Sequence, residues 1–426
     1  MIIPSIDILN GRAVKLVKGD PNNKKFETNA LELAQSFSIF PEINLIDLDA
    51  ALGTGNNIEL IRKISKICTC NVGGGIRTTK IAYDLLKAGA NKIIIGTKAD
   101  VEFLKQLPKE KIIIAIDSRK GKIVDKGWTN EIDETTIDRA NRLKNYCNSF
   151  LYTYVDKEGT LEDIDENTVN ELKKITKNKI QYAGGISSKD QIIKLESLGV
   201  DAVVGMAYYE NKIDIYETFV DLLNFKKSMG LIPTIVKNTN GQILMLAYSN
   251  RESVIKSIKE RKGIYFSRSR QELWEKGLTS GNTQELKNIK VDCDRDTLIY
   301  KVLQKNVACH TGAYTCFEDE DFNMESLYEI IESKISESNS FTDKVYNDET
   351  MLKEKIIEEA DEVVNFKNKD NLTWEIADLL YFISILMKKN GIDYKDINNE
   401  LKIRNLMKKT INNTKLWGTK NDKPIW

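Results

Sequence analysis

The first 225 residues contain an internal repeat, and no other feature of the chain constrains the fold as strongly. Gly74-Gly75-Ile76 recurs as Gly184-Gly185-Ile186, and Asp7 recurs as Asp117 at the same offset. Leu86-Lys87-Ala88-Gly89-Ala90 is echoed by Glu196-Ser197-Leu198-Gly199-Val200, and Ile95-Gly96-Thr97 by Val204-Gly205-Met206. Short apolar runs alternate with helical stretches throughout: Ile2–Ile6, Asn44–Leu48, Cys68–Val72, Lys92–Ile95, Ile112–Ile116, Phe150–Val155, Ile180–Ala183 and Ala202–Val204. Continuous apolar strands separated by helices indicate a parallel sheet covered on both faces. Eight such units, built by doubling a half, predict a closed (β/α)8 TIM barrel over 1–225.

A chain of 426 residues exceeds what one hydrophobic core supports, so further domains are expected. A linker near Lys226–Gly230 leads into 230–317, where β-like runs (Ile232–Val236, Ile243–Leu246, Ile264–Ser267, Lys290–Val291, Leu298–Leu303) surround one helical stretch, Arg251–Glu260. This predicts a small α+β domain. The acidic stretch Glu318–Asp321 marks the next boundary, and 322–412 reads as an all-α bundle. Its apolar faces are Leu327, Ile330, Ile331 and Ile335; then Ile356, Ile357, Ala360, Val363 and Val364; then Leu379, Leu380, Ile383 and Leu386. A polar, loosely held tail is expected over 413–426. Lys+Arg and Asp+Glu both total 63, so there is no basic excess of the kind a nucleic-acid scaffold carries. The N-terminus lacks the pattern of a signal peptide, and no apolar run is long enough to span a membrane. A cytoplasmic location is expected, where the six Cys are thiols or metal ligands rather than disulfides.

Three groups of residues carry chemistry. In the barrel, Asp7 and Asp117 end strands one and five, where catalytic groups sit, and two carboxylates across a mouth suit an acid and a base. Gly74, Gly75, Gly96, Thr97, Gly184, Gly185 and Gly205 present backbone N–H groups at strand ends. Such loops cradle phosphates, and their duplication predicts a substrate with a phosphate at each end. In the small domain, Asp292, Asp294 and Asp296 would share one face of an extended segment, a hard oxygen site for Mg²⁺, with Cys293 pointing the other way. Cys293, Cys309 and Cys316 are soft ligands for Zn²⁺, and three protein ligands leave one position open for water. In the bundle, Glu358, Glu359 and Glu362 on one helix and Glu375 and Asp378 on the next converge if the helices are antiparallel. Such a cluster needs a cation such as Mg²⁺.

These stretches resemble known families. IIPSIDILNGRAVKLVKGD (2–20), LIDLDAALG (45–53), NVGGGIR (71–77), IIIGT (93–97), IAIDSRKGKIVDKGW (114–128), YTYVDKEGTLED (152–163) and AGGISS (183–188) resemble ProFAR isomerase. That resemblance implies an Amadori rearrangement with Asp7 as base, Asp117 as acid, Thr153 as helper and Arg77 on a phosphate, and Glu158 stands where Asp is usual. The related cyclase of imidazole glycerol phosphate synthesis, or a non-catalytic barrel scaffold, is the alternative. ILMLAYSN (243–250), FSRSR (266–270), LWEKGLTSGN (273–282), VDCDRD (291–296) and ACHTGAYTCF (308–317) resemble phosphoribosyl-AMP cyclohydrolase. This implies zinc on the three Cys, magnesium on the three Asp, and a catalytic or substrate role for His310. It also implies substrate contacts at Trp274, Lys276, Ser280 and Asn282, and a homodimer with the site at the subunit interface. Arg295 replaces a residue that is usually uncharged. KIIEEADEVV (355–364) and EIADLLYFISILM (375–387) resemble phosphoribosyl-ATP pyrophosphohydrolase, with a general nucleotide pyrophosphohydrolase as the alternative. Together the resemblances imply a trifunctional enzyme of histidine biosynthesis acting on small phosphoribosyl nucleotides, with neither nucleic acid nor membrane as partner.

Overall fold

The computed structural model describes residues 1–16, 23–125, 128, 130–158, 163–317 and 322–414, with side chains to residue 408. The acidic stretch Glu318–Asp321 and the tail from residue 415 lie outside these residues. The described chain forms two compact units. One holds 1–239 and 243–317 with residues from 403 onward, and the other holds 318–402 with 240–242.

In the first unit eight parallel strands pair in chain order: Ile2–Leu9, Ile43–Asp47, Cys70–Gly73, Lys92–Ile95, Ile112–Arg119, Ser149–Tyr154, Lys179–Ala183 and Asp201–Val204. The eighth pairs back onto the first, with Ile3 opposite Val203, which closes the barrel. Parallel neighbours need crossovers, and helices such as Ile58–Ile67, Thr79–Lys87 and Lys189–Ser197 supply them. Ile3, Ile94, Ile113, Leu151 and Val203 pack inside the barrel. The outward side chains of the strands join the larger core beneath the helices, among them Ile6, Leu45, Val72, Ile93 and Ile114.

Strands one and five run past Ile6 and Ile116, to Leu9 and Arg119. Each turns into an antiparallel ribbon that the apolar pattern does not predict: Arg12–Leu16 with Lys24–Thr28, and Lys122–Asp125 with Asn130–Thr135. The turns are Asn10-Gly11 (φ 52° and 72°) and Lys120-Gly121 (φ 48° and 80°). Two successive left-handed residues fit the twist of a tight hairpin. The ribbons are charged and half exposed, so they carry no apolar run, yet they obey the same repeat.

The glycine pairs have a packing role as well. Gly74 has φ 108°, and a Cβ there would lie 2.1 Å from the Asp47 carbonyl oxygen; at Gly184 (φ 98°) it would lie 2.4 Å from that of Tyr154. Each therefore lets one strand end pass under the backbone of the neighbouring strand's loop.

The small α+β domain has a four-stranded sheet in the order Ile243–Ser249, Ile232–Lys237, Leu298–Gln304, Gln284–Val291, with only the central pair parallel. The helix Arg251–Glu260 and the ribbon of Ile264–Ser267 with Glu272–Glu275 complete it. Barrel and small domain are joined closely. Arg261 donates to the carbonyls of Gln35 (3.0 Å) and Ser36 (2.5 Å). Asn288 Nδ2 donates to those of Ser38 (2.9 Å) and Phe40 (2.8 Å). Ile289 N–H donates to the Ile39 carbonyl at 3.0 Å.

The second unit contains the helices Met324–Ser336, Phe341–Asn347, Glu349–Val364 and Lys369–Lys389, and the helix Tyr394–Thr414 follows. Its core is Ile331, Val345, Leu352, Phe382 and Ile385. The predicted apolar faces are only partly buried. Ile331 is enclosed, but Ile330, Ile357 and Val364 are exposed, the last at 77%. On Lys369–Lys389 the buried face is Phe382 and Ile385, one helical position away from the predicted Leu379, Leu380, Ile383 and Leu386. Among the described residues no helix is long and apolar enough to cross a membrane.

Gly184→Ala is expected to destabilise the protein by more than about 1 kcal/mol, since it adds a clash with backbone to a left-handed φ. Urea unfolding checks this, and an unchanged midpoint contradicts it.

Candidate functional site

The carboxyl ends of the barrel strands ring a cavity of about 1040 Å³. Asp7, Gly74, Gly75, Arg77, Gly96, Thr97, Asp117, Thr153, Gly184, Gly185 and Gly205 all line it. Parallel pairing sets Thr153 directly beside Asp117. Arg77 donates to the carbonyls of Ala50 (3.3 Å) and Ala51 (2.8 Å) from an exposed position at the cavity edge.

The two aspartates have opposite surroundings. Lys15 stands between carboxylates, with Nζ 3.0 Å from Asp7 Oδ2 and 3.2 Å from Glu158 Oε1. Burial works against its charge, but Asp7 and Glu158 outweigh burial and raise its pKa above the ordinary lysine value. Asp7 therefore faces a fixed ammonium. Asp117 is buried, which raises its carboxyl above the ordinary aspartate value despite hydrogen bonds from Trp128 and Thr153. Trp128 Nε1 donates to Asp117 Oδ2 at 2.9 Å. Glu158, which stands where Asp is usual, also lines the cavity, and Lys15 and Trp128 are cavity residues that sequence reasoning did not assign to the site. Lys15 was accessible to it, because a hairpin at Asn10-Gly11 sets Val14 opposite Asp7 and Lys15 next along the ribbon.

In the small domain, Asp292–Asp296 is not an extended segment. It is the bent connection between the strands Gln284–Val291 and Leu298–Gln304, and Arg295 adopts φ 64° within it. The bend, rather than strand alternation, brings oxygens of Asp292, Asp294 and Asp296 within 4.8 Å of one another. Lys227 pairs with Asp296 at 2.7 Å and also with Asp294. Arg295 turns away and pairs with Glu196 on the barrel.

The three Cys do not converge within one chain. Cys309 and Cys316 lie within hydrogen-bonding reach of each other, and Cys316 N–H donates to the Leu244 carbonyl on the edge strand at 2.8 Å. Cys293 is exposed in the bent connection before the strand Leu298–Gln304, and among the described residues it forms no ligand group with the other two. Thr311 Oγ1 donates to Cys309 Sγ at 3.1 Å, which holds that thiol below its ordinary range. The exposed His310 has Nδ1 3.9 Å from the same sulfur. Lys276 is buried beside the Cys pair, and its pKa is lowered by burial against the opposing influence of Cys316 and Cys309. Its ammonium reaches the Asn282 carbonyl at 3.4 Å, and Ser280 Oγ accepts from Asn282 N–H at 3.3 Å. Trp274 packs on Tyr265 with ring centroids 5.8 Å apart. Thiols, a lysine and a polar loop thus meet at one end of the domain.

In the helical unit, Glu359, Glu375 and Asp378 bring carboxylate oxygens within 4.8 Å of one another. Glu359 is buried, and burial together with Asp378, Glu362 and Glu358 raises its pKa above the ordinary glutamate range. Glu362 is raised too, chiefly by a hydrogen bond to Glu375, but it stands outside the trio. Glu358 turns to solvent and pairs with Lys355 at 2.7 Å. The bent loop and this trio are all-oxygen donor sets that fit a hard divalent cation.

Family models match three successive stretches: "Histidine biosynthesis protein" over 1–214, "Phosphoribosyl-AMP cyclohydrolase" over 245–318 and "Phosphoribosyl-ATP pyrophosphohydrolase" over 324–405. Among curated relatives, an imidazole-4-carboxamide isomerase (the ProFAR isomerase) of Methanocaldococcus jannaschii is 38% identical over 227 residues, 50% of this chain and 96% of that protein. Its Aquifex aeolicus counterpart is 39% identical over 236 residues, 53% of this chain and 98% of that protein. A histidine biosynthesis trifunctional protein of Saccharomyces bayanus is 33% identical over 246 residues, 57% of this chain and 30% of that protein. The chain belongs to the histidine biosynthesis protein family through its barrel, and it is a multifunctional enzyme whose isomerase domain is followed by phosphoribosyl-AMP cyclohydrolase and phosphoribosyl-ATP pyrophosphohydrolase domains.

Proposed function

We propose that the three domains carry out successive steps: pyrophosphate release from phosphoribosyl-ATP, hydrolytic opening of the adenine ring, and isomerisation of the resulting ProFAR. In the barrel, Asp7 takes the proton from C2 of the ribose and Asp117 acts as the acid, with Thr153 beside it. The observation that carries this assignment is the contrast between the two carboxylates. The Lys15 ammonium stands 3.0 Å from Asp7, whereas Asp117 is buried and burial favours its protonated form. The duplicated strand ends at Gly74, Gly75, Gly96, Thr97, Gly184, Gly185 and Gly205 hold the two phosphates, with Arg77 at one of them.

The sign of the Asp117 shift gives a paired prediction. A raised carboxyl pKa favours the folded state below the ordinary aspartate value, and that contribution is lost as pH rises through the raised value. Asp117→Asn removes this loss. Isomerase turnover is expected to fall at least about 100-fold, while the melting temperature at pH 7 stays equal to or above that of the wild type. Retained turnover, or a lower melting temperature, contradicts the assignment.

In the cyclohydrolase domain, Cys309 and Cys316 of one subunit and Cys293 of a second copy would hold zinc, and Asp292, Asp294 and Asp296 magnesium. Zinc bound there supplies a water whose pKa falls to about 7. Lys276, Ser280, Asn282, Trp274 and His310 bind and orient the nucleotide around it. That Cys293 forms no ligand group with the other two thiols within one chain supports a homodimer through this domain, since a two-fold contact presents the same residues from both copies. Thiolate ligands need a reducing compartment, and we assign the enzyme to the cytoplasm. Cys293→Ser and Cys309→Ser proteins should each lose zinc, and mixed, refolded subunits should regain part of it. No regain on mixing would place the whole zinc site within one chain.

In the helical domain, Glu359, Glu375 and Asp378 would hold magnesium on the triphosphate, with Glu362 at its edge and Glu358 outside. Glu359→Gln in the full chain should abolish pyrophosphate release from phosphoribosyl-ATP. Faster wild-type turnover of ordinary nucleoside triphosphates would instead make this domain a general nucleotide pyrophosphohydrolase.

A further inference from the structure

Three carboxylates with oxygens inside 4.8 Å repel one another unless a cation stands among them. In this chain a cation already stands at Asp292, Asp294 and Asp296, and it comes from outside the small domain. Lys227 lies in the turn after the barrel's last helix, Ile215–Asp221, and its ammonium contacts Asp296 at 2.7 Å together with Asp294. The turn and the acidic loop are clasped together. Asn224 N–H donates to the Arg295 carbonyl at 2.7 Å, and Lys227 N–H donates to Asn224 Oδ1 at 3.3 Å. The Arg295 guanidinium, on the left-handed residue of the bend, pairs with Glu196 at the end of the barrel helix Lys189–Ser197. The barrel thus grips the loop at three points, and one of them occupies the carboxylates.

We propose that Lys227 is a built-in counter-cation of the carboxylate loop, displaced when a divalent cation binds, so that a residue of the barrel's linker sets the metal affinity of the neighbouring domain. The proposal rests on the magnesium reading of Asp292, Asp294 and Asp296. The chemistry of lysine suits the role. Its charge is compact, its four-carbon stem is flexible, and it offers no planar fork to lock onto two carboxylates. Lys227 is 52% exposed and Asp294 49%, so the ammonium can swing into water without crossing packed groups. Half-exposed ion pairs are weak, so the competition is reversible and changes affinity by a modest factor.

The test uses the full-length protein, stripped with a chelator and titrated with Mn²⁺ alone. Free Mn²⁺ is followed by electron paramagnetic resonance, a readout independent of turnover. Asp294→Asn run in parallel identifies the binding that belongs to this loop rather than to the helical domain. In Lys227→Met the Asp294-dependent binding should tighten about three- to tenfold, while Lys227→Arg, which keeps the charge, should not tighten it. Asp294-dependent binding that is equally tight in wild type and Lys227→Met overturns the role of Lys227 and leaves the magnesium reading standing. Equal tightening in the Met and Arg variants also overturns it. If Mn²⁺ binding never depends on Asp294, the magnesium reading and the proposal fall together.

Discussion

Closure of the barrel, through the hydrogen bonds of Asp201–Val204 back onto Ile2–Leu9, decides where the groups of the first site can be. A closed parallel sheet sends all eight carboxyl ends to one rim, and residues four strands apart must face each other across it. Asp7 on the first strand and Asp117 on the fifth are such a pair, and the doubled half-barrel places them there without any further device. The ribbons that continue these two strands bring Lys15 to Asp7, and the chain beyond the fifth strand brings Trp128 to Asp117. Duplication supplies the symmetry of the rim. Divergence of the two ribbons breaks it, and from that break two like residues acquire different neighbours: an ammonium at Asp7, and an indole N–H with burial at Asp117.

The carboxylate groups of the chain differ in what neutralises them. Lys15 sits between Asp7 and Glu158 at 8% exposure and is fixed there by burial and two ion pairs. Lys227 sits between Asp294 and Asp296 at 52% exposure, held by little besides the pairs themselves. The first is a permanent part of its site, and the second can leave. Glu359, Glu375 and Asp378 face the opposite situation. Lys355 pairs with Glu358 on the solvent side, and the buried Glu359 answers the crowding by holding its proton more tightly. Of the three clusters, this trio is the one whose crowding is expressed in a raised carboxyl rather than in an ion pair with one of its own members among the described residues.

The strands of the barrel were legible in the sequence because apolar runs survive wherever both faces of a strand are covered. The run Lys92–Ile95 and the helix Arg251–Glu260 have the bounds their patterns predict. The two ribbons were not legible by that rule, since in a hairpin such as Lys122–Asp125 with Asn130–Thr135 only Ile123 and Val124 are buried and the second strand is largely exposed. Their signal was the Asn10-Gly11 turn, a local conformational preference rather than a hydrophobic one. At the acidic loop the residue types were readable, but the geometry was not: alternation along a strand would have aligned the same three aspartates that a bend at Arg295 in fact gathers. The distance between Cys293 and Cys309 was hidden for a related reason. Sequence spacing does not reveal that the described residues of one chain fail to gather them into one ligand group. The exposed Ile357 and Val364 show the same limit in the helical unit, where an apolar pattern marks a face without saying what covers it.

The placement of the small domain follows from which rim of the barrel it uses. Ser36–Phe40, which receives Arg261 and Asn288, precedes the strand Ile43–Asp47 and so lies at its amino end. Glu196 ends the helix that precedes Asp201–Val204, and it marks the same rim. Asp221, which receives Arg251 at 2.7 Å, ends the helix that returns from the mouth after the last strand. All three contacts fall on the face of the barrel that serves stability, opposite the face where chemistry occurs. A second enzyme can be fused there because that face tolerates new contacts without changing the positions of Asp7 and Asp117. The contacts combine backbone carbonyls and salt bridges with buried side chains of both domains that join one apolar cluster. They hold the small domain closely enough for Lys227 to reach its acidic loop.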